Sequence, residues 1–127
     1  MDTNGANLSA LLVNQDFVLN VYVQDTRGTA AGVRQAFFDI NYDSSLVSTR
    51  GAVQHSNSPF QTDIAGSVTT PGLINEAGGN DTDQQAPDPA SLEELLFSVP
   101  MTANARGTLT LTSDAADDPT HSILLFD

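Results

Sequence analysis

From Phe17 to Gln24 the chain alternates: Phe17, Leu19, Val21 and Val23 fall on one side, and Val18, Asn20, Tyr22 and Gln24 on the other. Only an extended strand, whose side chains point to opposite faces in turn, sorts such residues into an apolar and a more polar side. The same period returns from Val33 to Tyr42. There Ala36, Phe38, Ile40 and Tyr42 share one face with Arg34, and Val33, Gln35, Phe37, Asp39 and Asn41 share the other. It returns again from Leu92 to Met101, where Leu95, Phe97 and Val99 alternate against Leu96 and Ser98 and Pro100 limits the ladder. The alternating run Gly107–Thr112 predicts a further amphipathic strand. Shorter strands are predicted at Leu8–Val13, Leu46–Thr49, Gly66–Thr70, Leu73–Ala77 and Ile123–Phe126. Asn14-Gln15-Asp16, Asp25-Thr26-Arg27-Gly28-Thr29, Asp43-Ser44-Ser45 and Pro71-Gly72 supply the turns. Gln54–Ala65 reads as a loop with room for one helical turn, and Gly78–Ser91 as a long polar loop. Eight or nine short strands without a helical period predict an all-β, two-sheet β-sandwich.

With 127 residues the chain fits a single domain over residues 1–127. A fold of this size buries roughly two-thirds of the surface of the unfolded chain, enough for a core without covalent staples. That matters because there is no cysteine, which excludes disulfides, zinc–thiolate sites and a thiol nucleophile. Sixteen Asp and Glu stand against four Arg and no Lys, a net charge of −12. Such a surface repels phosphate backbones and anionic lipid, so neither a nucleic-acid partner nor membrane insertion is expected. No stretch approaches the ~18 apolar residues of a membrane span. No leader peptide is visible in the polar start Met1-Asp2-Thr3-Asn4-Gly5. That start and the strand-like end Ser122–Asp127 predict a module cut from a longer polypeptide.

The run Phe17–Asp25, the pair Gly32-Val33 and the run Phe37–Val47, with its Tyr42-Asp43-Ser44-Ser45-Leu46, resemble the opening half of a cohesin domain. Ser44 stands where that family usually has Pro. Leu73–Gly79 and Leu92–Ala105 are similar to later strands of the family. The resemblance implies a nine-stranded, jelly-roll-like sandwich of the kind found in large extracellular proteins of marine bacteria. It also implies a dockerin-like protein partner bound on a flat strand face. The matching outward positions are Asp39, Asn41 and Glu76.

Phe37, flanked by Gln35 and Asp39 on the same face, is either an aromatic anchor at a binding surface or a residue covered by a loop or the N-terminal segment. The expected partner-binding set is therefore Phe37, Asp39, Asn41 and Glu76, facing a partner that carries Lys or Arg. Two acidic loops are candidate calcium sites: Asp114, Asp117 and Asp118 in one, Asp81 and Asp83 in the other. Calcium takes six to eight oxygen ligands from such loops, although neither run has the EF-hand spacing. His55 and His121 lie in polar loops without a nucleophile elbow and read as surface histidines. Glu93 and Glu94 are adjacent and point oppositely on a strand, so no acid–base pair is predicted and the chain reads as non-enzymatic. Sugar binding by stacking needs exposed aromatics. With no Trp, and Tyr42 predicted inward, only Tyr22 is free to serve. The reading is an acidic, non-catalytic protein-interaction module of a secreted or cell-surface protein. Its alternatives are a calcium-stabilised structural or adhesion module and a carbohydrate-binding module.

Overall fold

The computed structural model describes residue 1 and residues 10–127. Among these there are eight strands: β1 (Asp16–Val23), β2 (Val33–Asn41), β3 (Val47–Thr49), β4 (Thr62–Ser67), β5 (Leu73–Asn80), β6 (Glu94–Ala103), β7 (Thr112–Ala115) and β8 (Leu124–Leu125). They form two antiparallel sheets, one of three strands in the order β1-β6-β3 and one of five in the order β4-β5-β2-β7, with β8 also pairing β2. The chain is an all-β two-sheet sandwich.

The alternation read from the sequence builds the core between the sheets. Phe17, Phe97, Val99 and Met101 point inward from the smaller sheet, and Ala36, Ile40, Ile74 and Ala77 from the larger one. Phe60, carried by the loop before β4, is fully enclosed with them. Each enclosed Phe contributes about 2–3 kcal/mol of transfer free energy, so this single layer supplies the main drive to fold.

Two aspartates organise the crossings between sheets. After β1, the Asp25 carboxylate receives Nε and Nη2 of Arg27 at 3.0 and 2.7 Å. It also receives the backbone N–H groups of Arg27, Ala31 and Gly32. The Arg27 guanidinium holds the Asp25 carboxyl well below the usual carboxylate range. After β2, the Tyr42-Asp43-Ser44-Ser45-Leu46 run is the turn that carries the chain to β3. Asp43 Oδ1 accepts Ser45 N and Oγ at 2.9 and 2.6 Å, and the Asp43 carbonyl accepts Leu46 N at 3.1 Å.

Several expected elements move. The strand expected at Leu8–Val13 falls partly on residues 2–9, outside the described residues, and residues 10–13 are not extended into a ladder. The Gln54–Ala65 segment holds no helical turn; β4 already starts at Thr62, and Gln54 bridges Ser98. β5 runs on through Gly78 and Gly79 to Asn80. Gly107–Thr112 is not the strand its pattern predicts. Leu109 packs on the core, but residues 108–111 have no ladder partner, and the strand begins at Thr112. Pro100 sits inside β6, opposite Val18. Its missing N–H falls where β3 leaves the sheet, and its carbonyl accepts Arg50 N at 2.9 Å.

β5 approaches β2 so closely that a Cβ on Gly78 would overlap the Ala36 carbonyl oxygen. Gly78→Ala is expected to destabilise the domain by at least about 3 kcal/mol, because backbone rather than a side chain must move. A urea titration showing an unchanged midpoint would disprove this packing of β5 on β2.

Candidate functional site

On its outer face β2 carries Gln35, Phe37 and Asp39, all three buried, so something covers that face. β7 pairs its C-terminal half, from Phe38 to Asn41, and β8 pairs its start at Val33 and Gln35. The connection between β7 and β8 folds back across the gap. Gln35 Nε2 donates to the Thr120 and Ser122 carbonyls at 3.0 and 2.7 Å. The His121 ring stacks on Phe37, with centroids 4.1 Å apart and planes 15° off parallel.

A bulge aims the acidic residues at this cover. Between the pairs Phe38–Ala77 and Ile40–Ile74, Asp39 opposes two residues of β5, Asn75 and Glu76. An extra residue in one strand bends it and re-aims a side chain. Glu76 takes a left-handed backbone, with φ 53°, and its N–H leaves the ladder to donate to Asp39 Oδ1 at 2.7 Å. Its carboxylate then reaches the covering segment. Oε1 accepts the N–H groups of Asp117 and of Asp118, the latter at 3.2 Å. Oε2 meets His121 Nδ1 at 2.6 Å. Asp118 folds the turn itself, accepting Thr120 N and Oγ1, each at 2.8 Å.

The expected binding residues separate in this geometry. Phe37 is 2% exposed and Asp39 7%, so of the two readings of Phe37 the covered one holds, and Asp39 is not an outward-facing contact residue. The β7–β8 connection, a loop, covers Phe37. Glu76 is half-buried and committed to that connection, and Asn41 alone of the four is exposed. The calcium sets also rearrange. Asp117 joins Asp39 and Glu76, and these three offer carboxylate oxygens within 4.8 Å of one another; no other such group is present among the described residues. Asp114 lies in β7 opposite Asp39, with Oδ1 on its own neighbour Ala115 N. Asp118 is occupied by Thr120. Asp81 is buried and its Oδ1 accepts Asp83 N at 3.0 Å in an Asx-turn.

Neither histidine is the surface residue expected. His121 is described above. His55 is also half-buried, with Nε2 3.0 Å from the Gly78 carbonyl, and burial pushes its pKa down. The signal that could have singled out His121 is weak: it follows three acids in a Pro-containing turn, which says nothing of the distant Phe37 and Glu76.

Partial burial disfavours the Glu76 carboxylate, but the His121 ring and the N–H groups of Asp117 and Asp118 outweigh it and hold its carboxyl below the ordinary value. A lowered folded pKa adds stability above the unfolded carboxylate range, near pH 4.3, and that stability is lost as pH falls through the folded value. Glu76→Gln is therefore expected to flatten the loss of urea midpoint between about pH 5 and pH 3 relative to the parent chain. Parallel pH profiles for the two proteins would show that the clasp does not depend on this charge.

No family model matches the chain, and no match appears among curated proteins or solved structures.

Proposed function

We propose that this chain is a non-catalytic interaction module of a secreted or cell-surface protein that takes a positively charged protein partner on the outer face of its larger sheet. The observation that carries this reading is the gathering of Asp39, Asp63, Glu76, Asp114, Asp117 and Asp118 around the β7–β8 connection. Among the described residues, His121 is the one basic side chain in hydrogen-bond contact with any of them. Carboxylates massed on one face repel each other and steer Lys- or Arg-bearing partners towards it. A cohesin-like, jelly-roll-like topology with a dockerin-like partner is the specific form of this proposal. It rests on the Tyr42–Leu46 turn and the two-sheet frame.

The exposed acids, rather than Phe37, would then make the contact. Binding of dockerin-type modules or other basic partners to the immobilised chain is expected to fall at least about tenfold in an Asp114→Lys, Asp117→Lys double variant, and to lose most of its salt dependence. Undiminished retention by that variant would refute the reading. Sugar binding is less well supported: Tyr22, half exposed on β1, is the only Tyr available for stacking.

The grouping of Asp39, Glu76 and Asp117 favours a second reading, a structural or adhesion module stiffened by calcium. An ion held there would tie β2, β5 and the β7–β8 connection together through oxygen ligands. A ligand bound only by the folded state raises the melting temperature. Calcium is thus expected to raise it, chelator to reverse the rise, and Asp117→Ala to abolish the response. Superimposable melting curves with and without calcium would remove the ion from the account.

A further inference from the structure

The strap that carries the clasp, residues 112–127, contributes little to the core. Among the described residues, every buried member of the apolar cluster lies between Phe17 and Ala103. Beyond Ala103 only Leu109 and Leu125 pack against it, both partly buried. All of β7 is exposed. The strap is held instead by ladders and polar contacts. β7 and β8 pair along the edge of β2. Gln35 Nε2 donates to the Thr120 and Ser122 carbonyls, the Asp117 and Asp118 N–H groups donate to Glu76, and His121 stacks on Phe37. At the far end Phe126 N donates to the Gly32 carbonyl at 2.8 Å, and the Phe126 carbonyl accepts Arg27 Nη2 at 2.7 Å. A segment with few buried apolar contacts opens at a smaller free-energy cost than the core does. The chain leading to it can let go: after Asn104, whose N–H donates to the Leu46 carbonyl at 2.7 Å, residues 108–111 have no ladder partner. With the strap lifted, β2 is an edge strand paired only with β5 among the described residues.

We infer that β2 accepts the strap of a second copy of this chain, so that two molecules exchange residues 112–127. This goes beyond the interaction proposed above and does not depend on it. A bared β2 makes four demands at once. Its edge needs a ladder, Gln35 Nε2 needs carbonyls, the face of Phe37 needs a ring, and the Glu76 carboxylate needs N–H groups. The strap of an identical chain meets all four at the right positions. An exchanged pair therefore re-forms every contact of the closed molecule and alters only the connection that precedes the strap. A foreign strand has to match each demand separately. Residues 104–111, drawn out, span about 26 Å, enough to carry the strap to a neighbouring molecule. Two chains of net charge −12 repel each other, so exchange belongs to high protein concentration and high salt. The grouping of Asp39, Glu76 and Asp117 is then built from two chains.

The chain has no cysteine, so introduced thiols report exchange without background. Asn41 and Thr112 are register partners between β2 and β7, and both are exposed. Opposed residues of an antiparallel pair stand about 4.5–5.5 Å apart, within reach of a disulfide. Asn41→Cys and Thr112→Cys are first placed in one chain, where oxidation is expected to close an intrachain bond. Failure to close removes the β2–β7 pairing and the exchange with it. The two substitutions are then placed in separate chains. These are mixed at millimolar concentration in about 0.5 M salt, held in urea just below the unfolding midpoint, returned to buffer and oxidised. Exchange is expected to link position 41 of one chain to position 112 of the other. The yield should exceed that of Thr26→Cys mixed with Thr112→Cys at least about tenfold, because an exchanged strap holds its thiol against β2 whereas exposed Thr26 meets it only by collision. Equal yields from the two mixtures disprove exchange, and so does the absence of interchain linkage from both. A chain that exchanges while retaining no basic partner keeps the exchange and loses the interaction module.

Discussion

β2 is covered on both faces, and a strand in that position must find a partner for every polar group it carries. On the core side this is simple, because Ala36, Ile40 and Tyr42 are apolar or nearly so. On the other side Gln35 and Asp39 alternate with Phe37, all three buried. The β7–β8 connection resolves the conflict. It brings carbonyls to Gln35, an aromatic ring to Phe37 and a half-buried acid–histidine pair beside Asp39. The outer layer of the larger sheet is therefore a polar lock built on one aromatic stack.

The bulge at Glu76 is what lets one residue serve two layers. In an unbroken ladder its N–H would pair across to β2 and its side chain would stand in line with its neighbours. With φ at 53° the N–H turns to Asp39 Oδ1, and the carboxylate extends to the turn at Asp117–His121. Backbone strain of this kind persists only where surrounding contacts over-determine it. The contacts here are charge-assisted, with short distances and several donors on one carboxylate. The same feature concentrates negative charge on this side of the molecule.

The sequence made β1, β2 and β6 legible because their alternation is long and their apolar sets are large. Turn chemistry was equally clear at Asp25 and Asp43, though not the depth to which Asp25 is buried beneath Arg27 and three backbone amides. Gly107–Thr112 misled because a period of two reports which side a residue would face, not whether a neighbouring strand exists to pair with. Phe37 stayed open between anchor and covered residue for a related reason. Alternation placed it opposite Ile40 and Ala36, but which distant segment covers it cannot be read from a single strand. The acidic residues were visible as two loops and a strand face. Their meeting at one point was not, since Asp39, Glu76 and Asp117 are brought together by a register slip and a returning segment.

What the sequence decided by itself is the architecture: apolar side chains at every second position, no helical period and no cysteine leave two pleated layers around a shared core as the stable solution. What only the tertiary structure decided is the use of the acids. Whether a carboxylate faces water, a backbone amide or an imidazole depends on which distant segment is packed against it. That choice is set by long-range pairing energies, which local pattern does not encode.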